Sequence, residues 1–177
     1  MTIGGRVLAY ISKVDNKGPG AYQPRDNPKS YTTDEETKNY DLCTAGYNYY
    51  WQLGQELIKS RITVDLFACC SQPIDLPFLS PVCIDTGGDV YYYKSFNERY
   101  DWERLYYDMF RILTRNNAYD ASCRLRVSDG YAVSCYYGSF IRRDTIDFDM
   151  CSLDADKTIA VELKSEGTVP QGRIVSC

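Results

Sequence analysis

The hydrophobic pattern of this chain changes character once, near Tyr119, and that change constrains the fold more than any count of residues. Before it, apolar runs that read as strands buried on both faces alternate with stretches of helical period. After it, apolar residues recur at every second position, the signature of half-buried antiparallel strands. One chain therefore carries two architectures in series, divided at 1–118 and 119–177.

In the first part, Arg6–Ser12 is apolar on both faces and reads as a central strand, broken by Lys17-Gly18-Pro19-Gly20. Residues 22–40 are polar, proline-containing and aperiodic, which predicts a long surface loop. From Thr44 to Lys59 the period turns helical, with Ala45, Tyr49, Leu53 and Leu57 at spacing four and Tyr50 and Ile58 widening the stripe. Arg61–Cys69 is a second buried strand. Asp75 followed by Leu76-Pro77 predicts a short helix ending at Thr86-Gly87-Gly88, and Val90–Tyr93 a third strand. Asp101 is the expected N-cap of the next helix, with Trp102, Leu105, Tyr106, Met109 and Leu113 as its apolar face and Asn116-Asn117 at its end. Three strands alternating with three helices imply βαβ crossovers and a parallel sheet.

In the second part, Ala121, Cys123, Leu125 and Val127 face one way and Ser122, Arg124, Arg126 and Ser128 the other. Asp129-Gly130 predicts a two-residue hairpin into Tyr131–Tyr137. Thr158–Leu163 alternates Ile159, Val161 and Leu163, and Arg173–Cys177 opens a further strand that stops. With three parallel strands, no helix before the first and an uncompleted last strand, the fold is expected to be unfinished at both ends.

Composition excludes several functions. There is no histidine, which removes Ser-His-Asp and Cys-His catalysis and every His-containing zinc site. None of the eight cysteines forms a C-x-x-C pair, several sit in apolar runs, and no signal peptide precedes them, so they read as free thiols of a reducing cytosol. A net charge of −4 argues against nucleic acid. No apolar run reaches membrane-spanning length.

Four features invite a chemical reading. Thr86-Gly87-Gly88-Asp89 ends a helix rather than opening one, so it reads as a cap and not a phosphate loop. Asp65 stands inside a buried strand and reads as a hydrogen-bonded structural acid. Cys69-Cys70 lacks an activating histidine and reads as core. Arg124 and Arg126, two apart on one strand face, can together engage a carboxylate, although spacing alone favours a solvated outer face.

The order of short motifs resembles the cargo-selecting subunit family of the COPII vesicle coat. The resemblance rests on Gly4-Gly5-Arg6-Val7, Gly18-Pro19-Gly20 with Arg25-Asp26, Tyr49-Tyr50-Trp51-Gln52-Leu53, Val64-Asp65-Leu66-Phe67, and Thr86-Gly87-Gly88 with Val90–Tyr93 and Phe96. Arg111–Arg115, Arg124–Gly130 and Gly138-Ser139-Phe140 continue it, the last departing from the family's usual Asn at its middle position. The sister coat subunit family shares the first two features, but the Leu-Thr-Arg helix end and the Arg-x-Arg-x-Ser-x-Gly strand look like the cargo subunit.

The resemblance implies an α/β fold: a partial von Willebrand A-like parallel sheet with helices (the second half of a trunk domain), followed by the opening of an antiparallel β-sandwich. It implies a non-enzymatic adaptor that recognises cytosolic sorting signals for transport from the endoplasmic reticulum to the Golgi. Its partners would be the sister coat subunit, as a heterodimer, and the cytosolic tails of membrane cargo and SNARE proteins. Location would be cytoplasmic, peripheral to the endoplasmic reticulum membrane only through the coat. No cofactor and no metal are expected, because the family's zinc finger would lie outside this chain. Arg124 and Arg126 occupy the positions at which the family places arginines of a basic pocket for acidic signals, which tips their reading towards a binding site. Two alternatives stay open: a von Willebrand A-like interaction domain unrelated to vesicle coats, against which the missing D-x-S-x-S motif counts, and a carboxylate-only enzyme.

Overall fold

The computed structural model describes residues 4–22, 24, 28–40, 48–144 and 146–166. Its first unit is a parallel sheet in the order β1-β2-β3, formed by Gly5–Ile11, Ile62–Cys70 and Val90–Lys94. β1 pairs with β2 from Gly5↔Ile62 to Ile11↔Ala68, and β2 with β3 from Leu66↔Val90 to Cys70↔Lys94. The central strand is thus β2, nearly all of it buried, whereas β1 lies at an edge among the described residues. That corrects the expectation of a central first strand: β1 has apolar residues on both faces, yet Val7 and Tyr10 remain exposed.

Helices cover the two faces of β2. On one side α2 (Asn48–Lys59) and α3 (Leu76–Thr86) close over Val64 and Leu66, with Tyr50, Leu53 and Leu57 of α2 meeting Phe78, Leu79 and Val82 of α3. The stripe runs through Tyr50 rather than the exposed Tyr49, and residues 44–47 lie outside the described residues. On the other side α4 (Glu98–Thr114) lays Leu105, Met109 and Ile112 against Phe67, Tyr91 and Tyr93. The Tyr93 hydroxyl donates to Asp108 of α4 at 2.6 Å.

Three details of α4 differ from expectation. Its N-cap is Asn97, whose side chain accepts from the Arg99 amide, while Asp101 accepts from the Asn97 amide one turn in. Its packed stripe contains Leu105, Met109 and Ile112, leaving Trp102, Tyr106 and Leu113 exposed. Asn116-Asn117 does not end it either: the helix stops at Thr114 and Asn117 is already strand. The expected loop at 22–40 also contains a 3-10 turn, Pro28–Ser30, and a short helix α1, Asp34–Tyr40, whose first turn is acidic as a helix N-terminus favours.

The helix stop at Thr86-Gly87-Gly88 is as the residues predict. Gly87 adopts the left-handed conformation with φ of 76°, and the amides of Gly87 and Gly88 return to carbonyls of the last turn. A Cβ on Gly88 would lie 1.8 Å from the Val64 carbonyl oxygen, so only glycine lets the chain pass that close to β2.

The second unit has two antiparallel sheets, β4-β7-β6 (Asn117–Arg124, Asp147–Asp154, Ile141–Arg142) and β5-β8 (Tyr131–Tyr137, Ala160–Ser165). Between them lie Val133, Tyr136, Phe148 and Met150, with Cys123, Leu125, Val127, Phe140, Ile159 and Val161 packed around. Asp129-Gly130 does turn the chain, with Gly130 at φ of 91°, but the flanking strands do not pair: β4 joins β7 and β5 joins β8. The turn moves the chain from one sheet to the other, a sandwich connection rather than a hairpin. β4 also begins four residues earlier than the alternation suggested and ends at Arg124, and Leu163 of β8 is exposed. β6 and β7 went unread because β7, buried along most of its length, mixes acids with apolar residues. The strand expected at 173–177 lies outside the described residues.

Candidate functional site

The two units meet across the amino-terminal ends of β1 and β2, where β7 crosses. Phe148 and Met150 of β7 point into the sandwich core, and Asp149, Ser152 and Asp154 meet the parallel unit. The seam is polar and its centre is buried. The fully buried Thr63 donates its hydroxyl to the Thr86 carbonyl or Ser152 Oγ, at 3.2 and 3.0 Å.

Beside this contact lies a buried charge network. The Arg6 side chain, 6% exposed, bonds both oxygens of the fully buried Asp65, one of them at 3.0 Å, and reaches Asp154 at 3.4 Å and Asn117 at 3.3 Å. Arg115, just past the end of α4, reaches Asp154 at 2.9 Å, Asp89 at 3.2 Å and Asp156 at 3.0 Å. The Asp89 amide donates to Asp65 at 2.9 Å, Arg111 pairs with Asp156 at 2.5 Å, and Lys157 with Asp89 at 3.6 Å. Four cations thus meet four carboxylates drawn from both units, the condition under which buried charge is tolerated. Burial opposes the charges on Arg6 and Arg115, but their carboxylate partners outweigh it and hold both pKa values above the ordinary one. Asp156 is held well below the usual carboxylate range by Arg111 and Arg115.

A second cluster continues along β7. Asp149 accepts from Ser122 at 2.7 Å, Arg143 at 2.7 Å and Arg61 at 3.2 Å, and Arg61 also meets Asp120 at 3.0 Å. Desolvation pushes the Asp149 carboxyl up, yet these donors together hold it below its ordinary value.

At the outer end of the same ladder are the two arginines singled out from the sequence. Cys123, Leu125 and Val127 pack into the sandwich core, so Arg124 and Arg126 both point outward, as the alternation required. They do not share a strand, because β4 ends at Arg124 and Arg126 lies past its end. Arg124 is already engaged, forking onto both oxygens of Asp147, its directly opposed partner on β7, with the Nε contact at 2.5 Å. Arg126 is exposed and makes no ion pair among the described residues.

Between α2, α3 and β6 opens a cleft of about 320 Å³, walled by Ile58, Ile84, Phe140 and Ile141 with Gln55 and Arg142 on its sides. All six described cysteines are free, and burial pushes Cys83 up to about 12 and raises Cys69, Cys70 and Cys151 as well, the opposite of thiolate activation.

Sequence reasoning identified Asp65 as structural but overlooked its partners. The signal was available: an acid in a strand buried on both faces needs a cation. The one that serves, Arg6, stands in the Gly-Gly-Arg motif, and Arg115 of the Leu-Thr-Arg motif holds the neighbouring Asp154.

Comparison with known proteins finds a family match over each part of the chain. Residues 1–113 match the Sec23/Sec24 trunk domain and residues 118–176 the Sec23/Sec24 beta-sandwich domain. The chain is 33% identical over 176 residues to the human protein transport protein Sec24C, covering 98% of this chain and 16% of that protein. It is 32% identical over 168 residues to the protein transport protein SEC24 A of Arabidopsis thaliana, covering 94% of this chain and 16% of that protein. The crystal structure of the human COPII-coat protein Sec24c superposes with a TM-score of 0.81 at 31% identity, over 96% of this chain and 23% of that one. The chain thus spans about one sixth of the length of these relatives. Trunk sequence followed directly by β-sandwich sequence, with relatives of the Sec24 type at both levels of comparison, makes this chain a member of the Sec24 branch of the Sec23/Sec24 family.

Proposed function

We propose that this chain contributes the trunk–sandwich portion of a COPII coat adaptor that gathers membrane cargo for transport from the endoplasmic reticulum to the Golgi. On this reading it is a binding element and not an enzyme, working at the cytoplasmic face of the membrane with a sister coat subunit. Among the described residues no helix is long and apolar enough to cross a membrane, and attachment through the coat needs none. Acidic sorting signals on the cytosolic tails of cargo and SNARE proteins are its ligands, and Arg124 with Arg126 receives them.

The observation that supports the reading is the outward placement of these two arginines, Arg124 on the last residue of β4 and Arg126 just past it. Arg126 offers a full guanidinium to solvent, and Arg124 retains Nη1 beyond its fork onto Asp147. Guanidinium donors capture carboxylates by charge-assisted hydrogen bonds, and the planar fork of Arg126 favours a two-point contact. Such contacts lie in solvent, so binding should weaken as salt rises.

A pull-down with a peptide bearing two glutamates tests this. Retention by the wild-type chain and loss with Arg124→Ala plus Arg126→Ala is the expected result. Unchanged retention by the double variant would move the binding site elsewhere.

A further inference from the structure

We propose that Asp147 is an internal competitor at this site, occupying Arg124 with the same chemical group that a ligand must bring and so setting which acidic peptides can bind. The inference rests on the reading of Arg124 as a receptor for carboxylates.

Asp147 is held in place before any ligand arrives. It stands directly opposite Arg124 at the last rung of the β4–β7 ladder. Its amide donates to Asp144 Oδ1 at 2.9 Å, and its carbonyl accepts from the amides of Arg143 and Asp144 at 3.0 and 3.3 Å. The carboxylate therefore sits at a fixed position and consumes Nε and Nη2 of Arg124, the two donors of a fork contact. The Arg124 side chain is nevertheless 52% exposed and that of Asp147 19%, so the pair lies where a solvent-borne carboxylate can reach it.

At Arg124, an incoming single carboxylate has two options. It can take the remaining Nη1 alone, a one-point contact of low value, or displace Asp147 and break an equivalent contact to make its own. Neither gains much. A ligand with two carboxylates can bind Arg126 through one and compete for Arg124 through the other, since the two are then tethered at high effective concentration. Asp147 thereby discriminates against lone acids, a specificity obtained from a repulsive and competing element rather than from an added attraction.

The test is fluorescence anisotropy with three labelled peptides carrying two, one or no glutamates (Gln in their place), on the full chain. Asp147→Asn should tighten the two-glutamate peptide about two- to fivefold, the range expected when an exposed ion pair stops competing. It should tighten the one-glutamate peptide by a larger factor, narrowing the discrimination. Glu162→Gln, which removes one negative charge elsewhere on the surface, should leave affinities near wild type. Asp147→Ser serves as a second variant, and each protein's far-ultraviolet circular dichroism verifies its fold. Equal affinities for wild type and both Asp147 variants, or an equal gain from Glu162→Gln, would overturn the competitor while leaving the receptor reading intact. Failure of wild type and Asp147 variants alike to bind any glutamate peptide would overturn both.

Discussion

The same pair of side chains, arginine and aspartate, is used at two depths in this molecule, and depth decides what each pair can do. At the seam, Arg6, Asp65, Arg115 and Asp154 all have side chains 6% exposed or less, and each charge depends on partners from other elements. At the rim, Arg124 and Asp147 form a fork of the same geometry in contact with water. Removing one partner from a buried network strands the others without solvent, whereas removing one from an exposed pair returns the other to water. The seam is therefore structural and joins two units into one body. The rim is exchangeable, which is what a receptor for carboxylates needs.

The largest effect should come from cutting the seam's charge. Arg115→Met leaves the buried Asp154 with only the longer contact to Arg6 and weakens the hold on Asp89 and Asp156, and should lower the stability of the chain by about 3–5 kcal/mol in urea unfolding. A next test breaks the seam through the backbone with its charges left intact. Gly88→Ala forces its Cβ away from the Val64 carbonyl and displaces Asp89 from Asp65, which should cost about 1–3 kcal/mol in the same assay. Thr63→Val removes a buried hydroxyl bridging the two units and should cost about 1–2 kcal/mol.

Acid should act on the seam with a defined sign. The folded carboxyls of Asp149 and Asp156 titrate below the unfolded value of about 3.9. Their contribution is complete above that value and is lost as pH falls through the folded pKa values. Urea midpoints measured from pH 6 down to pH 3 should therefore drop most steeply below about pH 4, and a flat profile would show that these acids are not linked to folding.

How much of this was legible in the sequence follows from range. The βαβ order, the glycine stop before β3 and the outward direction of Arg124 and Arg126 rest on local pattern, and the structure has them. What the sequence did not reveal depends on pairing over distance. β7 carries Asp147, Asp149 and Asp154 because each meets an arginine from another element, so its pattern is not that of an ordinary strand. The Asp129-Gly130 turn has hairpin chemistry, yet β4 finds a longer partner in β7. In α4, Asn97 and Asp101 are both good caps four residues apart, and together they build one cap that neither alone would suggest. The occupation of Arg124 by Asp147, 23 residues away, was likewise invisible until the strands were paired.

The central claim, that depth separates a structural arginine from a receiving one, is tested most directly by measuring two variants in two assays. Urea unfolding and anisotropy with the two-glutamate peptide should be run side by side on Arg115→Met and Arg124→Ala. The account predicts that Arg115→Met lowers the unfolding midpoint strongly, while Arg124→Ala leaves the midpoint unchanged and loses peptide affinity. A midpoint for Arg124→Ala as low as that of Arg115→Met, or full peptide binding by Arg124→Ala, would contradict it.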